Sequence, residues 1–160
     1  MPKRVSFGVL LILILIVSAG AYIYVQKTQS DVQKAADVSD FDLIFKYGVG
    51  AKNELNTYNG TYVKDMVTAP SVTTNLSLTI EEKRQILQRI AEIGFFSLPD
   101  NFTLNPSEQV SPQVDYYIRV QNGSQFKEVS WSNNSLIESD IQNSLDGLVN
   151  YLISVIQNKP

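Results

Sequence analysis

The chain has 160 residues, a formal charge of −3, and neither cysteine nor histidine. Lacking both types, it has no disulfides, no thiolate nucleophile, no Cys- or His-built zinc site and no Ser-His-Asp arrangement. After Lys27 there are 16 acids against 10 bases, an acidic surface that argues against nucleic acid and against anionic lipid headgroups.

From Phe7 to Val25 the chain is uncharged and mostly apolar. As a helix this run would span roughly 28 Å, the thickness of a bilayer's hydrocarbon core. Lys3 and Arg4 precede it, while Lys27 and Lys34 beyond it are offset by Asp31, Asp37 and Asp40. The positive-inside tendency predicts a cytoplasmic tail over 1–6, a transmembrane anchor over 7–25 and an outer C-terminal part. A signal peptide cut near Ala21, leaving a secreted domain, is the competing reading. Residues 26–40 are polar and aperiodic and read as a tether to a domain over 41–160.

Within that domain Phe41, Leu43, Phe45 and Tyr47 alternate, which predicts a strand buried on one face and broken by Gly48-Val-Gly50. Leu55–Tyr58 and Thr61–Val67 flank Asn59-Gly60, the sequence of a two-residue hairpin turn. A looser strand or loop follows over 72–78. Thr79-Ile-Glu-Glu82 is a capping box opening a helix with Ile80, Ile86, Leu87, Ile90 and Ile93 on one side and Gly94 as its stop. Phe95, Phe96 and Leu98 read as core, and 101–113 as a surface loop.

A second hairpin is predicted over 114–131 about Asn122-Gly123, with Arg119 across from Phe126. Ser139-Asp-Ile-Gln142 reads as another capping box, opening a helix that reaches about Gln157 with Ile141, Leu145, Leu148, Val149, Leu152 and Ile156 apolar. The columns Leu145/Leu152 and Leu148/Val149 also suit a homodimer contact. The order β-β-β-α-β-β-α predicts an α+β fold: an antiparallel sheet with two helices on one face, preceded by the N-terminal transmembrane helix.

Walker and dinucleotide glycine motifs and the calcium-loop pattern are absent from the sequence. No catalytic residue, metal or cofactor is expected. The better candidate is the sheet face away from the helices, where Tyr117, Arg119, Phe126 and Glu128 form a candidate partner-binding patch. A half-exposed face covered by 99–113 or by 48–53 is the alternative. Five N-x-S/T sequons, at Asn59, Asn75, Asn101, Asn122 and Asn133, are candidate glycosylation sites in an exported domain.

The run Leu78-Thr-Ile-Glu-Glu through Gly94-Phe-Phe-Ser-Leu-Pro99, then Tyr117-Ile-Arg-Val-Gln-Asn-Gly and a closing helix, resembles small exported α+β domains of unknown function. The layout is also similar, over about 80 residues, to emfourin-like protease inhibitors. Those place a strand with a glycine pair first, and Gly48-Val-Gly50 departs from that pair. The resemblance implies an inhibitory or accessory binding role and carries over no functional residue. The expectation is a membrane-anchored extracellular module that binds a protein or envelope component and is not an enzyme. An extracellular hydrolase working through two carboxylates and a structural envelope glycoprotein are the alternatives.

Overall fold

A computed structural model describes residues 38–107 and 110–159, and the expected anchor lies outside the described residues. The described part contains strands β1 (Phe41–Gly48), β2 (Asn53–Asn56), β3 (Thr61–Lys64) and β4 (Val72–Asn75), then helix α1 (Ile80–Ile93). Strands β5 (Asp115–Asn122) and β6 (Gln125–Ser132) and helix α2 (Ser139–Gln157) complete it. The six strands form one antiparallel sheet in the order β4-β3-β2-β1-β5-β6. The fold is α+β, with Val72–Asn75 paired as a full fourth strand instead of a loose segment.

Alternation decides which sheet face meets the helices. Phe41, Leu43 and Phe45 of β1, Ile118 and Val120 of β5, and Val129 and Trp131 of β6 are all buried. They form one cluster with Ile86, Leu87 and Ile90 of α1 and Leu145, Leu148, Val149 and Leu152 of α2. Each such side chain removed from water contributes about 1.5–3 kcal/mol. Both apolar columns of α2, Leu145/Leu152 and Leu148/Val149, lie in the chain's own core. Ile80, expected on the buried side of α1, is 67% exposed because it opens the helix beyond the edge of the core.

Helix α1 begins as its sequence requires: the Glu82 amide donates to Thr79 Oγ1 at 3.2 Å, and the Thr79 amide to Glu82 Oε2 at 2.7 Å. Gly94 ends it in the left-handed conformation, φ 68°. Phe95 and Leu98 are buried, with Phe96 edge-on to Phe95 at 6.4 Å. The second expected capping box does not form. Ser139 is already helical, Glu138 holds the N-cap position without a side-chain bond, and the Gln142 side chain turns along the helix to Asp146 at 2.8 Å.

Both hairpins depart from an Asn-Gly centre. In the β5–β6 hairpin Asn122 pairs with Gln125, leaving Gly123-Ser124 as the turn. Gly123 at φ 57° takes the first central position, the glycine site of a type II′ turn. The register slips by two residues, so faces are kept but partners change: Arg119 lies across from Glu128, not Phe126. Between β2 and β3 the link is residues 57–60. Thr57 leaves β2 there because it bonds β1 several times: its amide donates to the Leu43 carbonyl at 2.9 Å, and its hydroxyl accepts the Leu43 amide at 2.7 Å and donates to the Asp42 carboxylate at 3.0 Å.

The segment after α1 is more than a surface loop. The Ser130 amide donates to the Asp100 carbonyl at 2.8 Å, and the Phe102 amide to the Ser130 carbonyl at 3.2 Å. Lys127 adds a bond to the Asp100 carboxylate at 2.6 Å. The outer edge of β6 is thereby paired over this stretch, which removes part of an edge open to strand addition.

Candidate functional site

The helix-free sheet face is built from the residues that alternate with the core. Register places Glu54, Lys46 and Tyr117 in one cross-strand row with Ser130. The next row holds Asn56, Ile44, Arg119 and Glu128. Phe126 follows, across from Gln121. The structure thus brings Tyr117, Arg119, Phe126 and Glu128 onto one surface.

Ion pairs organise that surface. Arg119 donates from Nε to Glu128 Oε1 at 2.7 Å and from a terminal nitrogen to the same oxygen. Its guanidinium also sits 5.3 Å from the Phe126 ring centre, a cation–π contact. Lys46 bonds Glu54 at 3.1 Å and lies 5.9 Å from the Tyr117 ring centre. Asn56 holds the other end of this pair, donating to Glu54 at 3.1 Å. Ile44, Lys46, Tyr117 and Arg119 line a depression of about 380 Å³.

Electrostatics follow from these contacts. Partial burial, then a hydrogen bond to Glu128, pushes the Tyr117 phenol above its ordinary value. The Glu128 hydrogen bond likewise raises Arg119 and keeps it charged. Nearby, burial and then the Asp42 carboxylate raise Tyr58, whose hydroxyl donates to Gln121 at 3.2 Å.

Sequence reasoning missed Ile44, Lys46 and Glu54. Alternation in β1 aims Ile44 and Lys46 outward, but their place beside Tyr117 depends on β1 pairing with β5, about 70 residues later. The alternative of a covered face is not what folds: Tyr117 and Arg119 stay half exposed and Phe126 is 56% exposed. The described part of 99–113 runs along the β6 edge instead. Trp131 is core, stacked on Tyr116 with ring centres 5.2 Å apart.

Among the sequons, Asn59, Asn75, Asn101 and Asn133 are exposed and Asn122 is half exposed. Asn133 has a structural task, accepting the Val114 amide on its side-chain oxygen at 3.0 Å. Among the described residues no group of three acidic side chains stands close enough to hold a metal ion, and no helix is long and apolar enough to cross a membrane. In comparison with known proteins, no family model and no curated sequence matches the chain.

Proposed function

We propose that the chain is a single-pass, membrane-anchored extracellular module that captures a protein or envelope component through the open face of its sheet. The observation that carries this reading is the helix-free face itself, on which a phenol, a phenyl ring and two ion pairs lie together around a shallow depression. Tyrosine, phenylalanine and arginine are the types enriched at interface centres. Ion pairs at the rim supply specificity and orientation more than affinity. The apolar run over 7–25 and its flanking charges support the placement of the domain outside the cell. The layout resemblance to emfourin-like domains agrees with an accessory or inhibitory role.

The test is proximity labelling from the domain in intact cells, comparing the natural chain with Tyr117→Ala, Arg119→Ala. Both side chains are half exposed, so the double variant should fold, which its thermal unfolding checks. It should lose a defined set of neighbours. An unchanged set would remove the proposed face. Placement is tested separately: protease added to unbroken cells should cut the domain, and cutting only after lysis would overturn the outer location.

A further inference from the structure

The end of the sheet opposite the start of β1 carries two loops, 49–52 between β1 and β2 and 65–71 between β3 and β4. Asn53 ties their roots together. Its side-chain nitrogen donates to the Tyr47 carbonyl at 3.1 Å, and its oxygen accepts the Asp65 amide at 3.1 Å. A Cβ on Gly48 would stand 2.7 Å from that nitrogen, so only glycine lets the clamp close.

These clamped loops present apolar side chains outward. Val67 is 86% exposed, Val49 55% and Met66 42%. Val67 also holds φ 62°, beneath a bond from the Thr68 amide to the Met66 carbonyl at 2.6 Å. A β-branched residue is strained there, and glycine or asparagine would take the same turn at lower cost. An exposed valine at a strained position gains nothing from packing, so neither stability nor solubility explains it.

Charge supplies the second observation. Among the described residues, Lys46, Arg84, Arg119, Lys127 and Lys159 pair with carboxylates, Lys83 bonds the Phe41 carbonyl and Arg89 lies over Tyr151. Lys52 and Lys64 have no such partner, and both are exposed at this same end. Of the nearby acids, Glu54 pairs with Lys46, while Asp65 and Asp115 keep their charge and accept neutral donors, the Val67 amide and the Gln113 side chain.

We propose that this end is a membrane-contact tip, with Val67, Met66 and Val49 entering the interfacial layer of a phospholipid bilayer and Lys52 and Lys64 reaching headgroup phosphates. Exposed apolar side chains on two loops at one end, with exposed ammonium groups beside them, match a soft interface, where apolar burial and phosphate contacts add. The domain as a whole is acidic; the contact uses its uncommitted positive charge, which is gathered at one end.

The chain has no cysteine, so single labels are clean. The full chain carrying Thr68→Cys, or Ser124→Cys at the other end, is labelled with an environment-sensitive fluorophore and placed on phosphatidylcholine vesicles, with or without one-quarter phosphatidylglycerol. The readout is local to the label, so it does not depend on what retains the chain. The label at 68 should be quenched by spin-labelled lipid and shielded from iodide, and the label at 124 should not. Val67→Gly suits the backbone, should unfold at the same or higher temperature, and should abolish quenching at 68. Replacing Lys52 and Lys64 by Gln should lower contact on the anionic vesicles by about fivefold per lysine. Equal iodide access at 68 and 124 would overturn the proposal. Shielding seen in native envelopes but absent from pure lipid would also overturn it, and assign the tip to a protein partner.

Discussion

Arg119 on β5 stands directly across the sheet from Glu128 on β6, bound to one carboxylate oxygen through two nitrogens. Both side chains remain more than a third exposed, at 37% and 36%. Solvent therefore screens the pair, and its coupling should be small. A double-mutant cycle with Arg119→Ala and Glu128→Ala, read by urea unfolding, should give a weak favourable coupling at low salt that vanishes at 1 M salt. The pair's main effect is to orient the guanidinium over Phe126, so partner capture should respond more than stability does.

Glu82 closes the capping box and also accepts Lys159 at 2.7 Å, which joins the start of α1 to the end of α2. Partial burial alone would raise its carboxyl, but the Lys159 ammonium and the Thr79 amide outweigh that and hold it below 4.5. A depressed folded-state value means the stabilisation is complete above the unfolded value and is lost as pH falls through the folded one. Lys159→Ala should weaken the domain at neutral pH and flatten its acid decline, measured by thermal unfolding between pH 7 and pH 2. Thr79→Ala should cost about 1 kcal/mol through the lost cap.

At the alkaline side the relevant contact is Tyr47, whose hydroxyl meets that of Tyr62 at 2.8 Å. Burial first, then the Tyr62 hydroxyl, raises the Tyr47 phenol well above 10.0. The folded state binds this proton more tightly, so stability is full below the unfolded value and falls as pH rises past it. Tyr47→Phe should lose about 0.5–1.5 kcal/mol at neutral pH for the missing hydrogen bond and show a shallower decline above pH 10. A steeper decline would contradict the assignment.

Two glycines should respond in opposite directions to the same change. Gly147 lies inside α2, is exposed, and has nothing within 4 Å of a built Cβ. Gly147→Ala should stabilise by about 0.5–1 kcal/mol, since glycine loses the most freedom in a helix. Gly94 has equal space, but φ 68° penalises any side chain. Gly94→Ala should cost about 1 kcal/mol despite the absence of a clash. Denaturant midpoints of the two variants test both.

Local chemistry alone determined a good part of this molecule. Period-two alternation in Phe41–Tyr47 named the buried face of the central strand, because a pleated strand sends successive side chains to opposite sides. Thr79, Glu82 and Gly94 marked the limits of α1, because caps act within one turn. Tyr117, Arg119, Phe126 and Glu128 could be assigned to one face from parity, since a register slip of two preserves parity. Tertiary structure decided what parity cannot reach. Arg119 met Glu128 because Gly123 could take the positive φ of a II′ turn, and Thr57 left its strand because its hydroxyl found the Leu43 amide. Lys46 and Glu54 joined the candidate face because β1 paired with a strand distant in sequence. Those outcomes are competitions between contacts far apart along the chain, and no local pattern contains both competitors.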